Sequence, residues 1–166
     1  MTLLRNLLLI AFVAFCVASL AQAEGTPTTL DLGTVKATVS VPAGWKQNEG
    51  TPPSFFEEGK KGSMQFLATP MQMPDETFAA MHKAALDAGK AKVTAGDYVK
   101  AEEFKVDGFR GVLIVESAKD PSIRRLQWQA YGRGGYYNFT MASPTDAFEG
   151  YLPTFNAVLA GIKLAK

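Results

Sequence analysis

The chain of 166 residues holds one cysteine, Cys16, and one histidine, His82. A structural or catalytic zinc site needs three or four clustered ligands, usually His and Cys, so this inventory excludes one built on those residues. A redox dithiol and a disulfide framework are excluded as well. The charge is nearly balanced, 17 Lys+Arg against 16 Asp+Glu, where nucleic-acid-binding domains carry a clear basic excess. The longest apolar run, residues 7–18, is twelve residues, short of the roughly 20 that span a bilayer as a helix. There is no internal repeat and no low-complexity tract. What remains is a 47% hydrophobic chain of a length that suits one folded domain.

The first 23 residues read as a cleaved signal peptide and not as part of the fold. Arg5 supplies a short positive region, the apolar run follows, and Ala21-Gln22-Ala23 gives the small-x-small pattern of a cleavage site. Cleavage would leave Glu24 at the new N-terminus. Phe15 precedes Cys16, where a lipoprotein signal requires a small residue, so lipidation is not expected. Arg5 and Cys16 leave with the peptide, and the remaining chain has 16 basic and 16 acidic side chains and no thiol. A secreted domain of that size buries about 68% of its unfolded surface without disulfides. These features predict export to a bacterial periplasm with no stable membrane anchor.

Residues 24–33 (EGTPTTLDLG) read as a flexible, polar lead-in to a single domain spanning 34–166. Val35, Ala37, Val39 and Val41 alternate with polar residues as in a half-buried strand. Residues 46–53 read as loop, with short strands at 54–58 and 63–70. A helix is predicted over 74–88, opened by Pro74, Asp75 and Glu76 and closed by Gly89. Strands follow at 97–106, 109–117, 123–131 and 136–142, and Ser143 is expected to cap a last helix beginning at Pro144. Its stripe of Phe148, Leu152, Phe155, Leu159 and Ile162 is amphipathic, with Pro153 expected to split it. The class is α+β: an antiparallel sheet of about six or seven strands between helices, in the order β-β-β-α-β-β-β-β-α.

Turn lengths predict the register. With short loops at 132–135 and 119–122, Leu113, Trp128 and Phe139 form one layer on an apolar face, and Val115, Leu126 and Met141 the next. The opposite face carries Glu116 beside Arg125, Ile114-Gln127-Thr140 and Val112-Gln129-Asn138. A slip of one residue would scramble both faces. The last helix should cover the apolar face and the first the mixed one.

With this order on the page, the chain resembles the PsbP-like family, whose members include extrinsic photosystem proteins, a Ran-binding import factor and bacterial envelope proteins of the DcrB type. The resemblance lies in ATVSVPAGWK (37–46), MPDETFAAM (73–81), DGFRGVLIV (107–115) and YYNFTMASPTDAFEGYLPTFNAVLAGI (136–162). It implies an α/β/α sandwich that serves as a scaffold for binding or assembly, and it brings no catalytic motif. The lipidated cysteine of many envelope members is missing.

Catalytic candidates are few. His82 reads as a partly buried residue at the edge of a helix, and no G-x-S-x-G elbow accompanies it. Glu57-Glu58 and Glu102-Glu103 are strand neighbours, which point to opposite faces. Gly132-Arg133-Gly134-Gly135 joins two strands as a hairpin turn and does not open a helix as a phosphate loop must. Asn138-Phe139-Thr140 matches a glycosylation sequon but falls within a strand. One constellation remains: Arg125, Gln127, Gln129 and Tyr131 share a face with Tyr136, Asn138 and Thr140. Amides, an arginine and two tyrosines on a rigid sheet make a recognition surface, since tyrosine gives contact area at low entropic cost.

The expected function is therefore a non-catalytic, exported binding or envelope-assembly module that recognises a protein partner. The alternative is a carrier for a small apolar or amphipathic ligand held between the first helix and the sheet. A hydrolase would need two carboxylates facing across a cleft. No cofactor, metal or nucleic acid is expected.

Overall fold

Strict alternation builds the centre of the molecule. In the computed structural model, which describes residues 25–165 apart from Glu49 and Lys60, strands β8 (Arg124–Gly132) and β9 (Gly135–Ser143) bury every second residue. The expected cleavage site, Glu24 and Cys16 lie outside the described residues. Pairing places Tyr131 opposite Tyr136, Trp128 opposite Phe139 and Leu126 opposite Met141. Strand β7 (Phe109–Glu116) brings Leu113 opposite Trp128 and Val115 opposite Leu126. This is the register the turn lengths imply. The β8–β9 connection is tighter than the four-residue loop expected, because Gly132 and Gly135 still pair. Arg133 (φ 49°) and Gly134 (φ 80°) alone make the turn, with the two positive φ angles that a type I′ hairpin requires.

The remaining strands are β1 (Thr26–Asp31), β2 (Lys36–Val41), β3 (Trp45–Asn48), β4 (Ser54–Glu57), β5 (Ser63–Pro70), β6 (Tyr98–Val106) and β10 (Lys163–Ala165). Helix α1 is Asp75–Thr94 and α2 is Phe148–Gly161. The order β3-β4-β5-β9-β8-β7-β6 forms a seven-stranded antiparallel sheet, and β1-β2-β10 forms a second, three-stranded one. The class is α+β as expected. Helix α1 lies on one face of the large sheet, over β6, β7 and β8. On the other face, α2 and the small sheet enclose a single core that joins Val39, Phe66, Trp128, Phe139, Phe155 and Leu159.

Several boundaries correct the sequence reading. Most of the expected flexible lead-in 24–33 is ordered strand: residues 26–31 pair along their whole length with β2, and Leu30 and Leu32 are buried. Pro27 is tolerated there because β1 is an edge strand, where a missing N–H costs no ladder bond. Part of the expected loop 46–53 is strand β3, paired with β4. Strand β10, which follows α2 directly, has no counterpart in the sequence reading.

The first helix runs through Gly89 to Thr94. At Gly89 an added Cβ would stand 2.9 Å from the Ala101 Cβ, so this glycine permits close approach of α1 to β6. The glycine that ends the helix is Gly96 (φ 76°), whose N–H bonds Val93 while that of Asp97 bonds Lys92. This is the Schellman pattern of a helix end. Ser143 does not cap α2. It ends β9, buried, with its hydroxyl directed to the Pro144 carbonyl. A turn at 144–147 intervenes, and the helix begins at Phe148 and runs through Pro153 without a split.

Candidate functional site

Alternation sends Arg125, Gln127, Gln129 and Tyr131 of β8 and Tyr136, Asn138 and Thr140 of β9 to one side of the sheet, where all seven are half-buried. The structure therefore brings together the whole constellation read from the sequence. Its hydrogen bonds run along the strands: Gln129 Nε2 donates to Gln127 Oε1 at 3.1 Å, and Thr140 Oγ1 to Asn138 Oδ1 at 2.9 Å. Arg125 reaches the Glu116 carboxylate at 3.1 Å, the pair that the register implied. The rings of Tyr131 and Tyr136 stand 5.0 Å apart, tilted by 31°. Burial raises the pKa of both phenols, and for Tyr136 the neighbouring Tyr131 adds to the effect. Both remain protonated donors at neutral pH.

Helix α1 covers only part of this face. It seals Val112 and Ile114 of β7, which are buried, and packs on part of β8. Beyond it β5 continues the surface, with Gln65, Leu67 and Thr69 opposite Thr140, Asn138 and Tyr136. Sequence reasoning missed these three residues because β5 and β9 are far apart in the chain. The signal was present: Met64 and Phe66, both buried, alternate with them. The open face thus spans β5, β9 and β8, with amide, hydroxyl and phenol groups and one ion pair already satisfied.

Two clefts flank the sheet. The first, of about 570 Å³, lies between the opening turns of α1 and the β6–β7 and β8–β9 turns. It is part charged and part apolar, not the continuous apolar tunnel under residues 74–88 that a carrier of an apolar ligand would show. The second, of about 440 Å³, is bounded by Trp45, Glu57 and Tyr151. Tyr151 donates to Glu57 Oε2 at 2.6 Å, and burial, followed by that carboxylate, raises its pKa. Each cleft has one carboxylate in its lining, Asp75 and Glu57 respectively. Glu102 and Glu103 diverge as strand neighbours must: Glu102 pairs with Lys100, and Glu103 with Arg110 on the α1 side. His82 is buried against β6, its Nε2 3.5 Å from Glu103 Oε2.

No family model matches the chain, and no curated protein matches it. Solved structures do. The solution structure of cyanobacterial PsbP (CyanoP) from Synechocystis sp. PCC 6803 superposes with a TM-score of 0.52 at 13% identity, over 92% of this chain and 98% of that one. A crystal structure of a protein from Bacteroides thetaiotaomicron VPI-5482 gives a TM-score of 0.50 at 14% identity, covering 78% of this chain. This chain spans 45% of the Bacteroides protein. The fold is PsbP-like.

Proposed function

We propose, with the PsbP-like fold as premise, that this protein is a non-catalytic binding or assembly module. In this reading it is exported to the periplasm and recognises a protein partner through the open β5–β9–β8 face. The observation that carries the reading is the half-buried row of amides and paired tyrosines on a rigid sheet, continued onto β5 beyond the reach of α1. Arg125 is already neutralised by Glu116, so the surface suits an uncharged, hydrogen-bonding patch on the partner and not a charged one. Tyrosine rings held by their neighbours lose little freedom on binding, which favours them as contact residues.

Two experiments test it. Intact mass of the protein purified from the envelope fraction should correspond to a chain starting at Glu24; retention of residues 1–23, or a diacylglyceryl adduct on Cys16, would reject export by this route. For recognition, the purified exported protein is immobilised beside its Tyr136→Ala and Arg125→Ala variants and exposed to envelope extract. A partner held by the wild type should be weakened at least tenfold by Tyr136→Ala, with little change in melting temperature. Equal retention by both variants would remove the sheet face from the reading.

A further inference from the structure

The β8–β9 turn breaks a local rule. Type I′ turns require positive φ at both central residues and strongly favour Asn or Gly there, yet the first position is Arg133 at φ 49°. Residues held in such conformations cluster where a side chain serves a ligand. The Arg133 guanidinium lies 4.8 Å from the centre of the Phe109 ring and makes no ion pair among the described residues. Asp107, close enough to feel its charge, is held instead by the Leu164 amide at 2.9 Å and by Lys163 at 3.6 Å.

Arg133 opens onto the 570 Å³ cleft, whose size falls in the range of small-molecule sites. Lys83 from α1, which also pairs with Asp87, and Arg110 from β7 line the same cleft, so three cationic side chains from separate elements border it. Phe78 and Phe109 supply apolar wall, and Tyr131 stands at the margin. The lining itself holds one carboxylate, Asp75, while Asp87 and Glu103 pair with Lys83 and Arg110, which leaves Arg133 as the cation without an ion pair among the described residues. We infer that this cleft binds a small organic anion, a carboxylate or phosphate headgroup carried on an apolar body. Arg133 and Arg110 would grip the headgroup, since guanidinium forks match both oxyanions, and the phenylalanines would take the body.

Arg110 is in part committed, bonding Glu103 Oε2 at 2.6 Å. It can turn toward a ligand without stranding that carboxylate, because His82 Nε2 stands 3.5 Å from the same oxygen. His82 is 8% exposed, and neither ring nitrogen has a hydrogen-bond partner among the described residues. The buried imidazole thus already stands beside the carboxylate that Arg110 would release.

Phenyl phosphate is the probe, titrated into the isotope-labelled exported protein and followed by amide NMR. Saturable shifts should appear at Phe109, Arg133 and Gly134, and not at Gln127 or Asn138. Arg133→Asn should weaken binding at least tenfold while leaving the melting temperature equal or higher, because Asn suits the turn better than Arg. Glu103→Gln, which frees Arg110, should tighten binding about threefold. Cosedimentation with phosphatidylglycerol vesicles that Arg133→Asn abolishes would also support the site and assign the headgroup to a lipid. Absence of saturable shifts with both probes, or unchanged affinity in Arg133→Asn, would overturn the inference.

Discussion

Trp128→Ala should cost about 3–5 kcal/mol of folding free energy, the usual loss when a buried aromatic is truncated. Trp128 is 0% exposed. Its ring lies 5.1 Å from Phe139 and 5.8 Å from Phe109, so truncation would leave a cavity bounded by aromatics that cannot collapse into it. The indole Nε1 also donates to the Phe104 carbonyl at 3.0 Å, and its loss removes that partner. Against a typical domain stability of about 5–15 kcal/mol, the variant should either unfold or melt roughly 10–15 °C lower. Urea denaturation is the measurement, with Gln129→Ala as its control. Gln129 is the next residue in β8 but points the other way, and its truncation should cost less than about 1 kcal/mol. A tolerant Trp128 with a critical Gln129 would show that the register of β7, β8 and β9 is wrong, and the recognition face would fall with it.

Gly111→Ala should be nearly as damaging, through excess instead of absence. To reach Phe104 on β6 from β8, the indole crosses β7, and it crosses at Gly111. A Cβ there would stand 2.3 Å from Trp128 Nε1 and 2.7 Å from the Gln129 carbonyl oxygen. The second contact is with backbone in a paired strand, so the neighbour cannot swing away. Overpacking of this kind costs about 1–3 kcal/mol and occasionally more. The two substitutions touch the same space, so their effects should not add. The Gly111→Ala/Trp128→Ala double variant should be less destabilised than the sum of the singles by about 1–2 kcal/mol. Strict additivity in equilibrium denaturation would mean that the indole does not lie across Gly111.

These two residues also show how far the sequence could be read. Trp128 was legible because β7, β8 and β9 are joined by short turns, and a local turn fixes which residues face each other. Gly111 was readable in principle, since glycine inside a strand often marks a close approach, but the crossing side chain comes from another strand. The same limit explains the helix ends. Gly89 and Gly96 look alike in sequence; only the approach of Ala101 shows that the first serves packing and the second ends the helix. The strands β1, β3 and β10 were hidden because they are short and largely polar, and their pairing depends on partners elsewhere in the chain. The candidate site divides in the same way. The β8 and β9 residues followed from alternation and register, whereas the β5 extension and the charged cleft required knowledge of which distant segments meet.

The three-stranded sheet has a consequence for how the molecule is made. Strand β2 bonds on one side to β1, synthesised just before it, and on the other to β10, synthesised last among the described strands. Residues Ile162 and Leu164, which close the core at this end, are buried. A chain emerging N-terminus first therefore holds β2 half-paired at Lys36, Ala37 and Thr38 until residue 165 has been delivered. Closure of the core at this end has to wait for the last described strand, however early the seven-stranded sheet assembles. The order of synthesis and the order of pairing thus differ for this sheet: its central strand is made early and satisfied on its second side only at the end.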